Sequence, residues 1–248
     1  MLQAAIPPDD DLILAALEAG HGALAFQPIV DAQGRVLFQE ALLRLLLADG
    51  SEAAPAAFIP VAEAQDLTAE MDCVAFSLAL NVLERGGAAR ISVNVHPKSL
   101  TTEVFRATTA ATPTALMERL FVEVTENALV DADGLAVLRD IRAQGASILI
   151  DDFGAGAQSL DLVRAGICDG LKLDRGLVDG LAGDATKRAI ARALLRMGRE
   201  LDLMVIGEGV ERSADADWLI KNGVDGLQGF LYGRPTRKLK AQQQFAVA

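Results

Sequence analysis

Acidic and amide side chains recur at the ends of short apolar runs along this chain. Each run is a candidate β-strand, and the polar residue lies at or next to its carboxyl end. The residues that share this placement, five of them carboxylates, are Glu40, Asn94, Glu123, Asp151, Asp152, Lys172, Glu208 and Gln228. If the strand ends converge, carboxylates about 4–6 Å apart repel each other by roughly 3–4 kcal/mol per pair at an effective dielectric near 20. Such a cluster must bind cations or take up protons.

One lysine cannot neutralise five carboxylates, but one or two divalent ions can. Carboxylate and amide oxygens suit Mg²⁺ and Mn²⁺, and two such ions can promote phosphodiester hydrolysis by activating water and stabilising charge on the phosphate. The chain has only two histidines, His21 and His96. This excludes an HExxH zinc site and argues against a Ser-His-Asp triad.

Taken singly, each of these residues has an ordinary structural explanation. A lone glutamate in a strand is more often a polar contact at a barrel end, and Asp151-Asp152 before Phe-Gly is more often a turn. Lys172 could be a surface lysine whose stem lies along apolar residues. The functional interpretation depends on the repetition, because strand after strand ends in a polar group.

The elements that position these residues alternate between strands and helices. Eight strand-like runs lie at 23–30, 35–44, 91–95, 120–125, 147–151, 170–174, 203–208 and 226–230. Helical patterns lie at 68–84, 133–144, 184–201 and from Ser213 to Asn222. This alternation predicts parallel strands with right-handed crossovers. Eight such strands predict a closed α/β barrel, in which active sites lie at the carboxyl rim.

The first two strands depart from this pattern, because only the sequence DAQG separates them. A parallel crossover needs about a dozen residues or more, so these strands should form an antiparallel hairpin. The prediction is a TIM-like (β/α)₈ barrel with its first strand antiparallel. No linker divides the chain, which predicts one domain over residues 1–248.

The composition limits the partners. A formal charge of −11 argues against binding to DNA or long RNA. The apolar runs are too short and too interrupted for a membrane span, and the start lacks the features of a secretory signal. Cys73 and Cys168 show no CxxC spacing and no other metal-ligand pattern, which favours ordinary core or loop cysteines in a reducing cytoplasm.

Several segments together resemble the EAL family of cyclic di-GMP phosphodiesterases. EALLR at 40–44 resembles the motif that names the family, and FQPIVDAQG precedes it. SVNVHP, FVEVTEN, DDFGAG, GLKLDR, IGEGVE and QGFLYGRP then follow in the family's order, so that the resemblance spans about residues 10–236. It implies a (β/α)₈ barrel with an antiparallel first strand, and metal-dependent hydrolysis of cyclic di-GMP to linear pGpG.

The resemblance also implies roles at the metal site. The first ion's ligands would be Glu40, Asn94, Glu123 and Asp151. Asp151 would bridge to a second ion, which Asp152 also binds. Lys172 and Glu208 would position or polarise the attacking water, so that with Glu40 they form the catalytic set.

Further roles concern the substrate and a nearby loop. Arg44 would contact a phosphate, Leu42 would pack on the nucleotide, and Gln228 would lie over the metal and phosphate site. Gln27 and Glu211 are additional candidates for substrate contacts, and Glu126 would steady the loop that follows Asp152. The cofactors would be two Mg²⁺ or Mn²⁺ ions; Ca²⁺ would bind the same oxygens but inhibit turnover. Partners outside the chain would be a second copy in a homodimer and sensor or GGDEF domains.

The chain departs from the family pattern in three places, none of which removes a metal ligand. Where the family usually has an aromatic residue followed by two serines, this chain has Ala157, Gln158 and Ser159, so that only the second serine is kept. After Arg44, LLLADGSEAAP stands where the family usually has Trp and, shortly after it, His-Pro. His96 stands where a serine is common. Because the metal ligands are kept, an active phosphodiesterase is favoured over two alternatives. These are a receptor that binds cyclic di-GMP without cutting it, and a purely structural barrel.

Overall fold

The computed structural model describes residues 10–86, 90–125, 130–154 and 159–239. The strands in these residues are β1 (Gly22–Val30), β2 (Val36–Leu46), β3 (Glu52–Ala53), β4 (Ile91–Asn94), β5 (Leu120–Thr125), β6 (Ser147–Phe153), β7 (Gly170–Leu173), β8 (Met204–Gly207) and β9 (Gly226–Gln228). The helices are α1 (Asp10–Glu18), α2 (Pro55–Ala64), α3 (Thr68–Glu84), α4 (Pro97–Leu100), α5 (Glu103–Ala110), α6 (Thr114–Met117), α7 (Ala132–Ala143), α8 (Ser159–Arg164), α9 (Arg175–Val178), α10 (Ala185–Glu200) and α11 (Ser213–Lys221).

Eight of the strands close into a barrel in the order β1-β2-β4-β5-β6-β7-β8-β9, and β9 pairs with β1. The other seven barrel strands run parallel to one another, whereas β1 is antiparallel to both of its neighbours. The short β3 extends the sheet beyond β2. The predicted TIM-like (β/α)₈ barrel with an antiparallel first strand is confirmed.

The reversal of β1 follows from its connection to β2. The Asp31 carboxylate accepts hydrogen bonds from the backbone N–H groups of Gln33 and Arg35 at 2.8 and 2.9 Å. Gly34 adopts a φ of +75°, which glycine takes without steric cost. Because the turn is this tight, β2 pairs with β1 in the antiparallel direction, and Gln27 lies opposite Glu40.

An apolar layer fills the barrel below its carboxyl rim. It consists of Ile29, Phe38, Phe121, Leu149 and Ile206, and the Phe38 and Phe121 rings stack with centroids 4.3 Å apart. Side chains two positions apart in a strand point to the same face. The residues two positions nearer the rim therefore also face the barrel axis, above an apolar floor.

The four predicted helices are confirmed as α3, α7, α10 and α11, whereas α1, α2 and several short helices were not predicted. In α2, Pro55 begins the helix and Pro60 lies inside it, which obscured the helical pattern. Across the described residues, every helix is too short or too polar to cross a lipid bilayer. The division into one domain stays a prediction.

Candidate active site

Each barrel strand contributes one polar side chain to the layer above the apolar floor, at the strand or one residue beyond its end. These residues are Gln27, Glu40, Asn94, Glu123, Asp151, Lys172, Glu208 and Gln228. Parallel pairing sets Asn94 beside Glu123. Asp151 lies two positions beyond Leu149, the partner of Glu123, and Glu208 lies two positions beyond Ile206, the partner of Lys172. The barrel therefore brings together residues that lie up to 201 positions apart in the sequence.

Lys172 lies at the centre of this layer and is 1% exposed. Its Nζ is 2.5 Å from Glu208 Oε1, 2.6 Å from Glu123 Oε2 and 3.0 Å from Asp151 Oδ1. Glu40 Oε2 is further away at 3.7 Å. One buried ammonium group thus contacts three carboxylates and lies near a fourth.

Glu40 is held by amide donors on the other side. Asn94 Nδ2 donates to Glu40 Oε1 at 2.7 Å, and Gln228 Nε2 donates to Glu40 Oε2. Gln228 Nε2 also lies 3.2 Å from Gln27 Oε1, and Gln27 Nε2 donates to the Gly233 carbonyl at 3.0 Å. These contacts fix both oxygens of the Glu40 carboxylate.

The electrostatic balance of the cluster is unfavourable for four ionised carboxylates. Burial raises the pKa of Glu123 to about 8, although Lys172 opposes this shift. Burial also raises the pKa of Glu208 well above its usual value. For Lys172, burial favours the neutral amine, but Asp151 and the other acids together raise its pKa well above the usual range. A divalent cation could replace the protons that this cluster otherwise retains.

The oxygens at the rim fit a divalent cation. Glu123 Oε1 is buried and has no hydrogen-bond partner among the described residues, a costly state for a carboxylate oxygen. Asp151, Asp152 and Glu208 each place an oxygen within 4.8 Å of the others. An all-oxygen set of carboxylates with one amide is the ligand chemistry that Mg²⁺ and Mn²⁺ accept.

An irregularity in β6 places both adjacent aspartates at this rim. Consecutive residues of a regular strand point to opposite faces. The pairing of β6 with β7 shifts register between Ile150 and Phe153, and Asp152 adopts a φ of +54°. Non-glycine residues seldom occupy this left-handed region, and such residues often occur at functional sites.

Two cavities meet at the acid cluster and share Glu40, Leu42 and Asp151. The apolar cavity has a volume of about 490 Å³, and its remaining walls come mainly from α2, α3 and the end of β4, including Pro55, Phe58, Ile59, Met71, Asp72 and His96. The polar cavity has a volume of about 250 Å³ and is also lined by Gln27, Lys172, Arg175, Glu208, Gly209, Glu211, Gln228, Gly229 and Phe230.

Some predicted site residues lie elsewhere or outside the described residues. Arg44 lines neither cavity, and its Nη1 donates to the Leu43 carbonyl at 2.8 Å. Burial lowers its pKa, while Glu52 and Glu40 oppose that shift. Glu126, Ala157 and Gln158 lie outside the described residues, so the predicted role of Glu126 and the altered loop stay predictions.

Asp72 was not predicted, although it borders the apolar cavity. Its Oδ2 accepts hydrogen bonds from the His96 backbone N–H at 2.7 Å and from Ser99 Oγ at 2.6 Å. Asp72 thereby ties α3 to the chain that follows Asn94. The signal in the sequence was a single acid on the mostly apolar buried face of α3, and periodicity alone does not distinguish such an acid from an exposed one.

Replacing Asp72 with asparagine should make the protein less sensitive to pH. Burial raises the Asp72 pKa from 3.8 to about 7, because its hydrogen bonds only partly offset desolvation. Between these values the folded chain keeps a proton that the unfolded chain has lost, so the free energy of unfolding falls as pH rises. The free energy of unfolding of Asp72→Asn, relative to that of wild type, should therefore rise by up to roughly 4 kcal/mol between pH 4 and pH 8.

Urea unfolding at several pH values measures this difference. The exposed Asp140→Asn variant is the control and should follow wild type throughout. A constant difference between Asp72→Asn and wild type across this pH range would show that Asp72 is ionised at all of these pH values in the folded protein.

The chain is similar to known proteins over most of its length. The family model for the EAL domain matches residues 11–235. The chain is 35% identical over 236 residues to MucR of Pseudomonas aeruginosa, named a bifunctional diguanylate cyclase/cyclic di-GMP phosphodiesterase, covering 89% of this chain and 34% of MucR. It is 30% identical over 235 residues to PdeN of Escherichia coli, named a probable cyclic di-GMP phosphodiesterase, covering 90% of this chain and 45% of PdeN.

A solved structure shares the same fold. The MucR phosphodiesterase in complex with c-di-GMP matches with a TM-score of 0.77 and 33% identity, covering 90% of this chain and 95% of that chain. The present chain spans only about a third to a half of the two full-length relatives, at 34% and 45%.

Proposed function

This chain belongs to the EAL domain family, and we propose that it hydrolyses cyclic di-GMP to linear pGpG with two Mg²⁺ or Mn²⁺ ions. The observation that carries the proposal is the buried cluster in which Lys172 contacts three carboxylates at 2.5–3.0 Å. Such a cluster has more negative charge than its lysine can neutralise. A structural barrel needs no such arrangement, because apolar side chains would fill the same space at lower cost.

The substrate proposal rests on the relatives and on the shape of the site. Two relatives carry cyclic di-GMP phosphodiesterase in their names. A cyclic dinucleotide has two nucleotide halves, and two cavities meet at the acid cluster here. One half in each cavity would place a phosphodiester at the cluster.

In the proposed site, some residues would bind the ions, and Lys172 and Glu208 would have other roles. Glu40, Asn94, Glu123 and Asp151 would hold one ion, and Asp151 with Asp152 the other. Bound divalent ions supply Lewis-acid polarisation of phosphate and water. Lys172 would keep the carboxylates in place. The Glu208 Oε1 atom contacts Lys172. With the ions bound in place of the cluster's protons, the Glu208 carboxylate would take a proton from water as the water oxygen bonds to phosphorus. The bond from phosphorus to the 3′-oxygen of the sugar would break, and that oxygen would take up a proton as the pGpG product leaves.

Substrate contacts complete the proposal. Leu42 would pack on the nucleotide and Arg44 would bind a phosphate oxygen. Gln27, Glu211 and Gln228 would contact the substrate from the polar cavity, whose walls they share. We further propose that Ca²⁺ binds and inhibits, that the chain works in the cytoplasm, and that a second copy and sensor or GGDEF domains act on it.

Incubation with cyclic di-GMP separates an enzyme from a receptor. The phosphodiesterase proposal expects pGpG to accumulate with time in the presence of Mg²⁺ or Mn²⁺. A chain that binds the ligand in a titration, yet releases it unchanged after prolonged incubation with either ion, would instead be a receptor.

Replacing Arg44 with alanine should weaken cyclic di-GMP binding by about 10- to 100-fold, since a charge-assisted hydrogen bond contributes roughly 1.5–3 kcal/mol. Arg44 lies on the same strand face as Glu40 and Leu42. The Arg44 Nη1 atom donates to the carbonyls of Leu42 and Leu43 in its own strand, so the melting temperature should change little.

A binding titration with Ca²⁺ in place of Mg²⁺ measures this effect without turnover. Arg35→Ala is the matched control, because Arg35 lies at the far end of the same hairpin and pairs with Asp31. Equal dissociation constants for Arg44→Ala and wild type would remove Arg44 from the substrate site.

A further inference from the structure

Arg175 lies directly against the segment that carries Glu208. It begins α9, three residues after Lys172. Its aliphatic stem covers Gly209, where a Cβ would lie only 2.7 Å from Arg175 Cβ and 2.8 Å from Arg175 Cδ. Gly209 also has a φ of +61°. Both the backbone conformation and the close approach of Arg175 therefore require glycine immediately after Glu208.

The guanidinium group of Arg175 holds the same segment at a second point. Its Nη2 donates to Glu211 Oε1 at 2.9 Å. The side chain thus spans the segment from Gly209 to Glu211, with its stem on one residue and its head on the other. Arg175, Glu208 and Glu211 all line the polar cavity.

A second arginine joins the same two loops in the opposite direction. Arg212, which follows Glu211, donates from Nη2 to Asp179 Oδ1 at 2.6 Å and from Nε to Asp215 Oδ2 at 3.0 Å. Asp215 is buried and accepts the Gly180 and Ala182 backbone N–H groups. Arg212 lines neither cavity at the acid cluster, which makes it a natural comparison for Arg175.

We propose that Arg175 is a positioning residue, which fixes the backbone after β8 so that the Glu208 carboxylate stays against Lys172. Its kinetic consequence rests on the proposed function. The Arg175–Glu211 pair is exposed on both sides, at 62% and 40%, and such pairs contribute little to stability. Its effect should therefore be seen in the placement of Glu208, where a misplacement of about 1 Å can cost on the order of 100-fold in rate.

Three variants separate this role from the alternatives. Arg175→Met keeps the stem over Gly209 and removes the guanidinium group; we expect kcat to fall about 10- to 100-fold with KM within about threefold and the melting temperature nearly unchanged. Arg175→Lys keeps the charge and should lie between. Arg212→Met should lower the melting temperature more and kcat less, because it removes the partner of buried Asp215.

Two kinetic outcomes would overturn the proposal. A raised KM with kcat retained would mean that Arg175 acts on substrate binding, directly or through Glu211, and not on the placement of Glu208. A loss of kcat that follows the loss of melting temperature across both arginines would make it an ordinary structural residue.

Amide hydrogen exchange tests the same proposal without turnover. Peptides covering residues 205–212 should exchange faster in Arg175→Met than in wild type, with other barrel strands unaffected. Unchanged exchange there would refute the positioning role. If wild type makes no pGpG, the proposed function fails, and this exchange measurement still decides the role of Arg175.

Discussion

Glu40→Ala should lose at least about 10³-fold in the rate of cyclic di-GMP hydrolysis, equivalent to about 4 kcal/mol of barrier lowering. Glu40 is buried in the acid cluster, with Asn94 and Gln228 donating to its two oxygens. A carboxylate held in this way, beside an amide oxygen, is placed to bind a divalent ion. Its removal should abolish most of the metal-dependent rate.

The same variant should keep its fold. Loss of one charge relieves repulsion within the cluster, whereas the stranded amide donors of Asn94 and Gln228 oppose this gain. We expect the metal-free melting temperature to stay within a few degrees of wild type, and Mg²⁺ to raise it less. The exposed Glu70→Ala variant is the control. Near wild-type turnover combined with a clear loss of stability would instead assign Glu40 a structural role.

Lys172→Met should lower the free energy of unfolding more than Glu40→Ala does. Glu123, Asp151 and Glu208 would lose the cation that lies 2.5–3.0 Å from them. Leaving buried carboxylates without a counter-charge costs about 3–5 kcal/mol. The metal-free variant should therefore unfold at a lower urea concentration, and pGpG formation should fall about 100-fold or more.

Magnesium distinguishes a loss of charge from a loss of packing. A divalent ion can replace part of the missing positive charge, so Mg²⁺ should stabilise Lys172→Met more than it stabilises wild type. Lys98→Met, at an exposed lysine of α4, is the control. If Lys172→Met unfolds at the wild-type urea concentration, Lys172 does not compensate the cluster as its distances indicate.

The sequence predicted the barrel because its strongest signals are local. Only five residues, 31–35, link β1 to β2, which leaves room only for a hairpin, and the long helix α10 has a clear periodicity and an N-cap at Asp184. Helix α2 was not predicted, because Pro55 and Pro60 interrupt its pattern. It nevertheless supplies Phe58 and Ile59 to the apolar cavity, so the cavity itself could not be predicted.

The site residues were predictable as a set, but their relations were not. The sequence indicates a polar residue at each strand end, whereas the contacts of Lys172 depend on how the barrel closes. The register shift in β6 that turns Asp152 toward Asp151 and Glu208 has no local signal in the sequence. The role of Arg175 was not predicted, because it depends on the contact of its side chain with Gly209, which lies in a different loop.

Formation of pGpG from cyclic di-GMP during a titration of Mg²⁺ into metal-free protein directly tests whether the acid cluster is a metal-dependent catalytic site. We expect no product in excess chelator, product that increases with added Mg²⁺ or Mn²⁺, and little product with Ca²⁺. We also expect Glu40→Ala to stay inactive at every Mg²⁺ concentration that supports hydrolysis by wild type. Full hydrolysis in excess chelator, or equal hydrolysis by Glu40→Ala and wild type, would show that the acid cluster at the barrel rim is not a metal-dependent catalytic site.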